Sequence, residues 1–184
     1  LLLDHYYNLK ISSVSGTTIT FPNNNLTIFN DLTKTDAGNA ITSTALQLIT
    51  VNRDFNVVAG VFQVQNTNVK TIKVLRDLIV DGSFNVSNTA GVNHVLELYR
   101  NLSGTGSFDA FVTPGRILTY FKGESDAEIS GATKDFYSLE VDKGISQIPV
   151  LNVTATLTTN FDPQLTLKNG TFRLSAGTFN VTTA

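Results

Sequence analysis

Apolar and polar residues alternate along most of this chain in short runs with period two, a pattern of narrow half-buried strands rather than of amphipathic helices. The runs themselves recur. ITVNRDFNVVAGVFQV begins at Ile49, IKVLRDLIVDGSFNV at Ile72 and LELYRNLSGTGSFDAF at Leu96, with a weaker copy, LTIFNDLTKTDAGNAI, at Leu26. The apolar residue after each Asp/Asn serves as a register mark: Leu32, Phe55, Leu78 and Leu102, at steps of 23, 23 and 24 residues. Six and four residues before the marks stand Leu26 and Ile28, Ile49 and Val51, Ile72 and Val74, and Leu96 and Leu98. Alternation inside a repeat of this length predicts one set of short strands per repeat, each repeat stacked on the next. The expected fold is all-β, a right-handed parallel β-helix (β-solenoid) with coils of about 23 residues.

Phe62, Phe84 and Phe108 follow their marks by 7, 6 and 6 residues and share parity with Val64 and Val86. In register they form an internal aromatic stack; an external platform for sugars is the alternative. Gly60, Gly82 and Gly106 each stand two residues before these rings and fit corners that need unusual backbone angles, with close ligand approach as the second reading.

Before the clean repeats, strands are expected from Leu9 to Ile11, Thr17 to Phe21 and Leu26 to Phe29, with a turn from Pro22 to Asn25. After Phe111 the phase slips: RILTYFKG from Arg116 alternates, but off the 23-residue register. The Gly- and charge-rich GESDAEISGATKD follows, and LTLKNGTFRLSAGTFNV from Leu165 returns to dense alternation. No linker composition intervenes, so residues 1–184 read as one continuous solenoid. A longer period overlies the first. HYYNLKI at His5 matches DFYSLEV at Asp135, and LTIFNDL at Leu26 matches LNVTATL at Leu151, offsets of 130 and 125 that place a module break near residue 132. The chain lacks Met, opens mid-pattern at LLLDHYYNLKI and stops at FNVTTA, so it reads as an internal fragment of a longer repetitive protein.

Composition narrows the function. Net charge is −2, which supplies no basic field for nucleic acid or an anionic membrane, and no apolar run is long enough to span a bilayer. Without Cys and with only two His, His5 and His94, there is no metal-ligand spacing and no nucleophile–base pair. Catalytic, cofactor and metal residues are therefore expected to be absent. Arg53, Arg76 and Arg100 stand two before the marks, beside Asp54, Asp77 and Asn101. Stacked, they make basic and acidic ladders on one edge: a ligand-facing groove for anionic glycans, or a solvated edge on which each Arg screens the neighbouring Asp. Glu124, Asp126 and Glu128 alternate and could form a weak Ca²⁺ cluster, or an exposed acidic loop. Stacked Asp54 and Asp77 have the carboxylate spacing of a retaining glycosidase, yet adjacent Arg residues favour ionisation of both.

LTYFKGESDAEISGATKDFYSLEVDKG from Leu118, followed by LTLKNGTFRLSAGTFNV, resembles the recurring unit of the very long, repetitive cell-surface proteins of Bacteroidota, in which F-x-G, I-x-G and aromatic-Tyr-Asn-Leu strands alternate with Leu-Thr-Leu-x-Asn-Gly-Thr turns. The resemblance implies parallel β-helix rods, export through the type IX secretion system by a C-terminal sorting domain, and roles in adhesion or gliding motility. The expected location is the bacterial cell surface. Expected partners are surface glycans or other cell-surface proteins, together with the secretion and outer-membrane anchoring machinery, without nucleic acid or direct membrane insertion. A polysaccharide lyase or glycoside hydrolase of the parallel β-helix class is the enzymatic alternative, and a virus tail-fibre segment the structural one.

Overall fold

The computed structural model describes residues 4–65, 67–88, 91–159 and 165–181; the opening 1–3 and the closing 182–184 of the sequence motifs lie outside them. Among the described residues every regular element is a strand, and no helix is long and apolar enough to cross a membrane. The strands fall into three parallel sheets, each a column of eight successive strands, with one short strand added to the first sheet. A single coil contributes one strand to each sheet: Leu48–Val51, then Phe55–Val57, then Val61–Val64. The next coil repeats them as Thr71–Val74, Leu78–Val80 and Ser83–Val86. This is a parallel β-solenoid, and its pairing is the one the repeat spacing dictates. Leu32 pairs with Phe55, Phe55 with Leu78 and Leu78 with Leu102, while Ile49 lies between Leu26 and Ile72, and Ile72 next to Leu96.

Strand side chains alternate in and out, so the inward parity of all three sheets fills one continuous interior. Phe62, Phe84 and Phe108 pair in register in the third sheet and are fully buried. Their rings stack at 5.4 Å and 5.5 Å with interplanar angles of 22° and 13°. At either end the stack changes character. Below Phe62 the register position is Ala40, and Phe21 fills the space edge-on at 5.6 Å. Beyond Phe108 the register position is Lys134, and the ring of Phe136, two residues on, packs against Phe108 at 5.2 Å.

The glycine corners have two causes. Gly60 has φ of +68°, the left-handed conformation that glycine tolerates. At Gly82 and Gly106 the constraint is space, not angle: a Cβ would lie 2.6 Å from the Gly60 carbonyl oxygen and 1.9 Å from that of Gly82. Successive coils touch backbone to backbone there.

Two features of the sequence pattern resolve differently in space. The strand Gly115–Lys122 does hold the 23-residue step, pairing Phe121 with Leu98. The slip comes after it: Ile129 pairs with Leu102, a step of 27, and Lys134 with Phe108, a step of 26. The coil absorbs its extra residues in the 123–126 turn, leaving the preceding sheet undisturbed. Phe111–Val112 folds back antiparallel onto the start of Gly115–Lys122, pairing Phe111 with Arg116. The longer period does not correspond to equal places in the coil. Leu9 lies in the second sheet and Leu139 in the first, while Leu26 lies in the first and Leu151 in the second.

Four lysines are buried inside the solenoid: Lys34, Lys70, Lys134 and Lys143. Lys34 and Lys134 belong to strands, Lys70 and Lys143 adjoin them, and each ammonium reaches carbonyls at or beside a corner. Lys34 reaches those of Thr35 at 2.5 Å and Asp36 at 2.8 Å, Lys70 that of Thr44 at 2.7 Å, Lys134 that of Gly104 at 3.0 Å, and Lys143 that of Lys122 at 2.8 Å. Corner carbonyls leave the sheet ladders, and a buried acceptor without a donor is costly. Burial in turn pushes all four ammonium groups down, Lys134 and Lys143 to about 8.

Candidate functional site

The Arg/Asp edge is the corner between the first and second sheets. Its residues are brought together as the register required, but their side chains face a structural task. The Asp31 N–H donates to Asn8 Oδ1 at 3.2 Å, Asp54 N–H to Asp31 Oδ1 at 3.2 Å, and Asp77 N–H to Asp54 Oδ1 at 3.3 Å. Asn101 N–H then donates to Asp77 Oδ1 at 3.2 Å, and Glu128 N–H to Asn101 Oδ1 at 2.9 Å. Each Asp or Asn thus brackets the turn of the following coil, accepting the backbone N–H that the sheet no longer pairs.

The arginines attach to this ladder from outside. Arg76 Nε lies 3.0 Å from Asp54 of the preceding coil and 3.4 Å from its own neighbour Asp77. Arg53 donates to Asn30 Oδ1 at 2.7 Å, with Asp31 at 3.9 Å. The screening partner is therefore chiefly the carboxylate one coil back rather than the adjacent residue. Arg100 stands exposed at the same corner, where its cation adds to the desolvation that depresses Lys143.

The acidic triplet does not converge. Asp126 Oδ1 accepts the Val150 N–H at 2.8 Å, while Glu128 Oε1 accepts the Thr154 hydroxyl at 3.0 Å. Among the described residues no three Asp, Glu or His side chains are arranged to hold a metal ion. His94 is buried and accepts the Lys70 N–H through Nδ1 at 3.1 Å. Burial, with the Lys70 cation adding to it, lowers its pKa to about 4, so the ring is neutral. His5 is exposed beside Asp4, 2.6 Å away, and its ring stacks on Phe29 at 5.9 Å.

A second surface emerges on the outer face of the first sheet. Gly115–Lys122 points Leu118 and Tyr120 outward, and Ser138–Asp142 places Ser138 opposite Leu118 and Glu140 opposite Tyr120. The small Ser138 leaves a groove of about 300 Å³ with Leu118 and Ser138 as floor, walled by Tyr120 and Tyr137, with Asn93, Glu140 and Thr166 at the rim. Both tyrosines are backed by cations: the Arg116 guanidinium lies 5.1 Å from the Tyr137 ring centre and the Lys122 ammonium 5.4 Å from that of Tyr120. Phe111, carried by the folded-back strand, packs on Tyr137 at 5.6 Å. Lys122 is bonded to Glu97 at 2.5 Å and Lys168 to Glu140 at 2.8 Å. These bonds raise both lysine pKa values. Sequence reasoning missed this groove because its walls come from different coils. The signal present was the outward parity of Tyr120 in RILTYFKG.

No family model matches the sequence, no curated protein matches it, and no solved structure matches its fold.

Proposed function

We propose that this chain is a non-catalytic, structural or adhesive segment of a large secreted bacterial cell-surface protein. The observation that carries the reading is the Asn8–Asp31–Asp54–Asp77–Asn101 ladder. The polar residues best placed to make a catalytic or ligand-binding edge are committed to holding coil on coil. A parallel β-helix lyase or hydrolase uses such a face for clustered acids; here one oxygen of each Asp accepts a backbone N–H, and the arginines compensate the charge. A repetitive rod that presents the same columns at every coil suits many weak lateral contacts, whose combined avidity exceeds that of any one. The Bacteroidota-like motifs support extracellular display by the type IX route, with surface glycans or other surface proteins as partners and gliding or adhesion as the setting.

The purified chain is expected to release no oligosaccharides from pectin, alginate or other polysaccharides, with or without Ca²⁺. Release that disappears in Asp54→Asn or Asp77→Asn would replace this reading with the glycoside hydrolase or lyase alternative.

A further inference from the structure

We infer that the groove between Tyr120 and Tyr137 on the outer face of the first sheet is a subsite for a neutral pyranose oligosaccharide. The inference rests on the adhesive side of the proposed function and gives it a place and a ligand class. Four observations narrow the occupant. The floor strands Gly115–Lys122 and Ser138–Asp142 are each paired on both sides, so no free sheet edge is offered to an extended peptide. The two lysines beside the groove are each paired, Lys122 with Glu97 and Lys168 with Glu140, so they do not make it a basic cleft for a polyanion. At about 300 Å³ the depression is at the small end of ligand sites, and it lies open on a sheet face. Its lining pairs aromatic rings with short hydrogen-bonding groups: the Asn93 amide, the Ser138 and Thr166 hydroxyls and the Glu140 carboxylate.

That combination fits a sugar. The negative face of an aromatic ring attracts the C–H face of a pyranose, while the rim groups match its hydroxyls. Tyr137 precedes Glu140, the cross-strand partner of Tyr120, by three residues. Tyr137 stands at the bend just before Ser138, and Tyr120 lies opposite Glu140 further along that strand, so the two rings flank the floor at its two ends, an arrangement suited to neighbouring units of a chain rather than to one monosaccharide. The cations and Phe111 hold the walls in place before binding, which limits the ordering cost.

The test is calorimetric titration of the whole chain with cellohexaose, xylohexaose and mannohexaose. Saturable, millimolar or tighter binding is expected for at least one, weakened tenfold or more in Tyr120→Ala and retained in Tyr120→Phe. Ser138→Phe, which fills the floor, should abolish it, and Tyr7→Ala, at an exposed ring elsewhere, should leave it unchanged. Melting curves matching the parent's are expected for all four, since each position faces outward. No binding to any of the three hexaoses, or equal binding by Tyr120→Ala and Ser138→Phe, overturns the inference. Polysaccharide turnover is a separate readout, so a failed subsite and a failed non-catalytic reading are distinguishable.

Discussion

Phe84 concentrates the packing argument for single side chains. Its ring is fully buried, stacks on Phe62 and Phe108, and meets Phe55 edge-on at 6.1 Å. Phe84→Ala is expected to cost about 3–5 kcal/mol, the usual range for a core aromatic whose cavity cannot collapse, read as a shift of the urea midpoint at constant slope. His94 gives the corresponding pH signature. Its folded pKa of about 4 lies below the ordinary 6.5. The unfolded chain therefore binds the proton first as pH falls. Stability is fully present above pH 6.5 and declines towards pH 4, by roughly 3 kcal/mol at most for this one group. His94→Gln should flatten that part of the stability–pH curve relative to the parent. Equal slopes in the two proteins would show that the ring is accessible to protons in the fold.

Among elements, the corners matter more than the strands. A strand of three or four residues is marginal alone, and what repeats here is a strand closed by a bracketed turn. Asp77 accepts the Asn101 N–H and donates its own to Asp54. Asp77→Ala leaves the Asn101 N–H without its acceptor and should cost about 1.5–3 kcal/mol, the scale for a hydrogen bond to a charged group. Asp77→Asn should cost much less, because Asn8 and Asn101 already perform the same task as amides. Thermal melting of the two variants separates a bracketing role, in which Asn rescues, from a role that depends on the carboxylate charge.

Over the whole molecule, stability comes from nearest-neighbour stacking of coils. Seven steps of about 4.8 Å between eight strands give a body about 35 Å long. Deleting residues 49–71 joins Leu48 to Ile72, and Ile72 then takes the place of Ile49, its partner in the parent. Every inward column keeps its parity. This 23-residue deletion should yield a shorter, cooperatively melting solenoid, whereas deleting 20 residues from the same start should give a broad, low-temperature transition, since the corners no longer coincide. Scattering and circular dichroism on the two deletions check this directly.

The sequence by itself determined the parallel solenoid, the vertical partners of Leu32, Phe55, Leu78 and Leu102, and the inward turn of Phe62, Phe84 and Phe108. Those follow from parity along a strand and from equal spacing between copies, both properties of the linear chain. Only the tertiary structure decided what the polar residues do. Lys34 and Lys134 sit at inward parity, but whether a lysine there is tolerable depends on carbonyls contributed by other coils, and Lys143 lies within 3.4 Å of the carbonyl of Tyr99, 44 residues away. The Asp ladder was legible as a column, its bonding to the next coil's N–H was not, because that requires knowing which turn amides lose their sheet partners. The groove at Tyr120 arose in the same way. It depends on Ser138 being small opposite Leu118 and on a strand that folds back to brace Tyr137, so no single stretch of sequence contains it.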